Sequence, residues 1–116
     1  MKLFDSELRV MDVLWREGDL PARQIAEVLT RQIGWNVNTT YTLIKRCIGK
    51  GAIERREPGF VCRALVSREQ VQQEETQELI DRLFDGSADA LFASLLGSKR
   101  VSEEQMQRLR RMIDEM

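Results

Sequence analysis

The chain has 116 residues, 18 basic and 19 acidic side chains, two cysteines and no histidine. That length allows one small domain and an appendage, and the missing histidine removes a Ser-His-Asp triad, a histidine general base and a histidine-ligated metal site. No Gly-rich phosphate loop is present, no apolar run approaches the roughly 20 residues of a membrane span, and the start Met1-Lys2-Leu3-Phe4-Asp5 lacks the apolar centre of a signal peptide, so the expectation is a cytoplasmic chain that is not an enzyme and holds no metal or cofactor.

In chain order, Leu8, Met11, Leu14 and Trp15 recur at helical spacing over Asp5 to Glu17, after an Asp5-Ser6 cap. Gly18 ends this first helix, and Pro21 suits the first position of a second, whose apolar face is Ile25, Ala26, Val28 and Leu29. The turn into a third helix comes at Gly34. From Asn36 onward, Thr40, Leu43, Ile44 and Cys47 follow the i, i+3, i+4, i+7 spacing of a buried stripe. The opposite face is then Asn38, Thr39, Thr42 and Arg46, with Tyr41 and Lys45 on its flank.

No acidic residue occurs between Val28 and Ile53, although Arg31, Lys45, Arg46 and Lys50 do. Short hydrogen-bonding groups near the helix start, with longer basic groups behind them, suit a helix laid in the DNA major groove. An ordinary solvated helix face has the same composition, so the flanking elements matter. Two short strands follow, with apolar contacts from Ile53, Val61 and Leu65, a reversal at Pro58-Gly59, and Arg55, Arg56 and Arg63 around it. Those arginines serve either phosphate contact or the ordinary solubilisation of strand edges. Three short helices and a two-stranded wing give a mainly α fold with a small β-wing, a winged helix-turn-helix over residues 1–66. Cys47 and Cys62 read as small buried apolar residues of a reducing compartment.

Residues 67–116 carry seven basic against eleven acidic side chains, leaving eleven against eight in residues 1–66. A basic reader is thus joined to an acidic remainder. This remainder reads as three helices, roughly Arg68 to Phe84, Ala88 to Leu96 and Ser102 to Glu115, with a capping box from Ser102 to Gln105. Its apolar positions include Leu79, Leu83, Phe84, Leu91, Phe92, Leu95, Leu109 and Ile113. So few apolar residues make a thin core, and a second copy of the chain is the simplest surface to complete it. The expectation is a C-terminal helical dimerisation region and a homodimer that reads two related half-sites of double-stranded DNA. A tail folded back on its own winged domain is the alternative.

The pattern L-x-V-M-x-V-L-W in the first helix and W-N-x-x-T-x-x-T-L-I-x-R-x-x-x-K-G through the third resembles the BlaI/MecI/CopY family of bacterial transcriptional repressors. The likeness extends to the L-F-A-S-L-L segment and the V-S-E-E-Q start of the last helix. It implies a homodimeric repressor with interlocked tail helices, each winged domain placing its third helix in half of a dyad operator built around TACA and TGTA. Carried over, Asn38, Thr39, Thr42 and Arg46 fall on the family's DNA-facing positions, while Tyr41 departs from the basic or small residue expected there.

The resemblance also implies control of a resistance gene of the beta-lactamase type, with release by a membrane sensor metalloprotease that cuts an Asn-Phe bond in the dimerisation region. That bond falls at Ser94-Leu95, so the cleavage site is not preserved as such. The Cys-x-Cys pairs of copper-responsive members are absent from the tail. A winged-helix module that binds protein and no DNA is the competing reading; its binding would respond only weakly to salt.

Overall fold

The computed structural model describes residues 1–116. Six helices and three short strands follow in the order α1 (Asp5–Glu17), β1 (Leu20–Pro21), α2 (Ala22–Ile33), α3 (Val37–Gly49), β2 (Ile53–Arg56), β3 (Val61–Ala64), α4 (Arg68–Phe84), α5 (Ala88–Gly97) and α6 (Glu103–Asp114). Two compact units result, Met1–Glu75 and Thr76–Met116, and the division falls inside α4.

In the first unit the predicted helical stripes meet. Val10, Met11 and Leu14 of α1, Ile25 and Leu29 of α2, and Leu43, Ile44 and Cys47 of α3 are all buried in one cluster, joined by Ile53, Cys62 and Val71. The cap of α1 differs from expectation. Phe4 is its N-cap and offers no side-chain acceptor, while Asp5 and Ser6 already lie inside the first turn. The Glu7 carboxylate accepts the Phe4 N–H at 2.8 Å instead, which satisfies one of the orphan donors every helix start leaves. Pro21 likewise stands at the N-cap of α2 and not at its first helical position. It is engaged there in a strand.

That strand is the main addition to the sequence reading. β1 pairs antiparallel with β3 (Leu20 opposite Cys62, Pro21 opposite Val61), and β3 pairs with β2, so three strands form a sheet in the order β1-β3-β2. Leu65 does not contribute the expected wing contact, being 50% exposed; Ile53 and Cys62 fill the core side of the hairpin, with Val61 half-buried. The chain direction alternates side chains across a strand, and Leu65 lies just beyond β3, where that alternation has ended. Gly34 closes α2 in the left-handed region at φ 71°, its N–H donating to the Thr30 carbonyl. Gly59 supplies the positive φ, 92°, in the wing reversal. Helices α1 to α3 and the hairpin together make a winged helix-turn-helix.

The second unit has far less interior. Helix α5 begins at Ser87, whose Oγ accepts the Ala90 N–H at 3.1 Å. Helix α6 begins with the predicted capping box, Gln105 N–H donating to Ser102 Oγ at 3.1 Å and Ser102 N–H to Gln105 Oε1 at 2.8 Å. Neither α5 nor α6 buries a single residue fully. Phe92, Leu95, Leu96, Leu109, Met112 and Ile113 instead line an open apolar groove. No helix is long and apolar enough to cross a membrane.

Candidate nucleic-acid interface

Helix α3 is set up by Asn36, whose Oδ1 accepts the Asn38 N–H at 2.8 Å and so turns the chain sharply into the helix. The predicted stripe Thr40, Leu43, Ile44 and Cys47 faces the core, all four buried. Helical geometry then leaves Asn38, Thr39, Thr42, Lys45 and Arg46 exposed on the far side. Asn38, Thr39, Thr42 and Arg46 line a shallow cleft with Ser6 and Trp35, two neighbours that the sequence reading did not include. Thr42 Oγ1 donates to the Asn38 carbonyl at 2.9 Å, which leaves its lone pairs and its methyl group for a partner.

The face is electrostatically open. Each ion pair of the chain leaves Arg31, Lys45, Arg46 and Arg63 without a carboxylate. The wing arginines differ from this pattern. Arg55 Nε stands 2.6 Å from Glu57 Oε1, and its guanidinium lies over the Phe60 ring, 3.7 Å from the centroid. Arg56 Nε stands 3.1 Å from Glu54 Oε2. The Arg55 hydrogen bond, helped by the Phe60 N–H, holds the Glu57 carboxyl below its ordinary range. Tyr41 is half-buried and meets Phe60 edge to face, the ring centroids 5.9 Å apart. It therefore lies toward the wing, apart from the Asn38, Thr42 and Arg46 row.

Behind the face, Lys50 follows α3 and donates to Glu7 Oε1 of α1 at 2.7 Å. Burial alone would raise the Glu7 carboxyl, but the Lys50 hydrogen bond, the Phe4 N–H and the charges of Lys50 and Arg46 together bring it below the usual value. Burial pushes the Cys47 thiol up to about 12 and the Cys62 thiol up to about 11, so both remain protonated at neutral pH and are poor nucleophiles or ligands. No group of three His, Cys, Asp or Glu side chains converges as a metal site.

This arrangement has counterparts. Residues 3–115 match the family model described as penicillinase repressor. The chain is 22% identical to the penicillinase repressor of Bacillus licheniformis over 116 residues, covering 98% of this chain and 91% of that one. It is 24% identical to the methicillin resistance regulatory protein MecI of Staphylococcus aureus (strain N315) over 115 residues, covering 97% and 94%. Among solved structures, monomeric Bacillus licheniformis BlaI in complex with the blaP half-operator aligns with a TM-score of 0.54 at 26% identity, over 60% of this chain and 88% of that one. With a family match across nearly its whole length and the same winged architecture, the chain belongs to the penicillinase repressor family.

Proposed function

We propose that this chain is a transcriptional repressor that binds a dyad operator as a homodimer. The observation that carries the reading is the exposed, acid-free face of α3: Asn38, Thr39, Thr42, Lys45 and Arg46 are exposed, and neither Lys45 nor Arg46 makes an ion pair, on a helix whose other face is buried. The Asn38 amide can both donate to and accept from an adenine edge, the Arg46 guanidinium can donate to a guanine edge, Thr39 and Thr42 suit a base edge or phosphate, and Lys45, Arg56 and Arg63 can donate to phosphates. The relative solved with a half-operator supports the same use of this architecture.

The homodimer rests on the second unit. An apolar groove on helices with no buried residue is a surface awaiting a partner, and a two-fold pair of winged domains matches a dyad site. The regulated gene is of the resistance type found with the named relatives. Release proceeds by cleavage within the dimerisation region by a sensor metalloprotease. In the single chain Ser94 and Leu95 lie exposed in α5, and Leu95 lines the groove assigned to the second copy, so a protease must loosen both that seam and the helix to reach the bond.

The test is a salt series of fluorescence-anisotropy titrations on a TACA/TGTA dyad duplex, a scrambled duplex of equal length and a single half-site. Tight binding that depends on the dyad and weakens steeply with salt supports the reading. Equal weak binding to all three duplexes would reduce it to phosphate attraction, and no binding at low salt would turn the winged unit into a protein-interaction module.

A further inference from the structure

We propose that Tyr41 is a positioning residue that fixes the wing to helix α3, so that the reach of the wing over flanking DNA is set by an aromatic contact on Phe60. The proposal rests on the DNA-binding reading above for its consequence, but not for the lock itself.

The wing is short. Its base is fixed by β1 on β3 and by the buried Ile53 and Cys62, so what the tip touches decides how the turn beyond them is held. The tip meets α3 in the ring contact of Phe60 with Tyr41. Phe60 has φ 50°, an unusual value for a bulky side chain, and it is restrained from every side. Its N–H donates to Glu57 Oε2 at 3.2 Å, its carbonyl accepts the Ala22 N–H at 2.9 Å, and its ring meets both the Tyr41 ring, at 76°, and the Arg55 guanidinium. Backbone conformations of this kind persist where the surroundings over-determine them. Here the surroundings come from α2, α3 and β2 at once.

The register assigns the arginines to two faces. Arg55 is paired with Cys62, and Ile53 with Ala64, on the sheet face turned to the core; Glu54 is paired with Arg63, and Arg56 with Val61, on the other. Arg55 is therefore taken up by the lock, where Glu57 holds it against Phe60. Arg56, paired only with Glu54 of its own strand, and Arg63, which makes no ion pair, stand exposed on the outer face, away from the Phe60 ring, and are the wing groups placed to meet phosphate. Tyr41 thus acts through Phe60, not on the DNA.

Three variants and two readouts test this. Amide {1H}-15N NOEs of residues 54–57 and 59–61 report wing order without DNA; the salt slope and hydroxyl-radical footprint on the dyad duplex report its use. Tyr41→Phe keeps the ring edge and should keep the wild-type NOEs, footprint and slope. Tyr41→Ala should lower the NOEs in the wing alone, shorten the footprint at its outer flanks while the half-site centre stays protected, and reduce the salt slope by about 1–2 through lost phosphate contacts. Phe60→Leu should behave as Tyr41→Ala does and takes its place if that variant fails to fold. Unchanged wing NOEs in Tyr41→Ala overturn the lock, and equal losses in Tyr41→Phe and Tyr41→Ala would transfer the role to the hydroxyl. If the wild-type protein does not bind the duplex, the NOEs still decide the lock while the operator consequence falls with the DNA-binding reading.

Discussion

Lys50, one residue past α3, donates to Glu7 Oε1 of α1 at 2.7 Å, and the same carboxylate oxygen accepts the Phe4 N–H that opens α1. Glu7 is 0% exposed. Its one charge therefore caps the first helix and holds the end of the third, while the Lys50 ammonium also donates to the Lys2 carbonyl at 2.8 Å and lies 4.3 Å from the centre of the Phe4 ring. The second oxygen, Oε2, has no partner, and its desolvation is a cost the pair must offset. The value of such a pair lies in fixing how α3 sits on α1, which decides what the exposed face of α3 can reach.

Removing one partner should be expensive. Lys50→Ala leaves a buried carboxylate without its cation, and because Lys50 is itself partly exposed the expected loss is at the low end for such pairs, about 3 kcal/mol. A urea melt at neutral pH measures it; an unchanged midpoint would mean that water replaces Lys50 at no cost. The pH dependence has a definite sign. The folded-state Glu7 carboxyl lies below its ordinary value of 4.5, so its stabilisation is complete above that value and is lost as pH falls through the folded-state value. Without Lys50, burial dominates and raises the carboxyl, so acid relieves the variant. The stability gap between wild type and Lys50→Ala should therefore shrink as the pH falls from above to below the ordinary carboxyl value of 4.5.

Thr40 presents the opposite case. Its side chain is fully buried in α3 and its Oγ1 has no hydrogen-bond partner. An unpaired buried hydroxyl costs free energy that a methyl group of the same shape does not, so Thr40→Val should stabilise the protein by about 1 kcal/mol. The two residues have similar helix propensity, and the substitution lies on the face away from Asn38 and Arg46, so DNA affinity should not move. A destabilised Thr40→Val in thermal melts would show that the hydroxyl is paired in solution.

The helices were legible wherever apolar periodicity ran long enough. The spans of α1 and α4 follow from that periodicity, apart from the cap of α1, and the buried and exposed faces of α3 follow from i, i+4 spacing alone. What escaped depends on contacts distant in sequence. Strand β1 is two residues long and exists because β3 pairs with it. Glu7 reads in sequence as an ordinary solvated acid of a first helical turn, and only the return of Lys50 beside it makes burial tolerable. Arg55 looks equivalent to Arg56 and Arg63 until the register turns it to the core side, where Glu57 and Phe60 hold it. Tyr41 falls with Lys45 on the flank of the helix wheel, and nothing in the sequence signals that its partner is Phe60.

Arg46 and Lys45 separate base reading from phosphate attraction. Arg46 shares its cleft with Asn38, Thr39 and Thr42; Arg46→Ala should weaken operator binding by about 1–3 kcal/mol and relax the preference for the dyad over the scrambled duplex. Lys45→Ala should weaken both duplexes alike and lower the salt slope by about 1. Equal proportional losses on both duplexes for Arg46→Ala would make it a phosphate contact instead.

The last prediction concerns the second unit. Leu109 and Ile113 are one helical turn apart on α6, 39% and 65% exposed, and both line the apolar groove. A charge at the more exposed site leaves the single chain little changed, because Ile113 contributes almost nothing to its interior. The same charge in a buried dimer seam would be desolvated without a partner. Wild type should therefore sediment as the proposed dimer and Ile113→Asp as a monomer in sedimentation velocity, without a lowered melting temperature of the winged unit. Half-site affinity should stay as in wild type, while dyad affinity falls toward it, since two independent winged units no longer share the millimolar effective concentration, in order of magnitude, that linkage provides. A variant that remains dimeric would move the interface off this groove, and a monomer that kept full dyad affinity would detach operator reading from dimerisation.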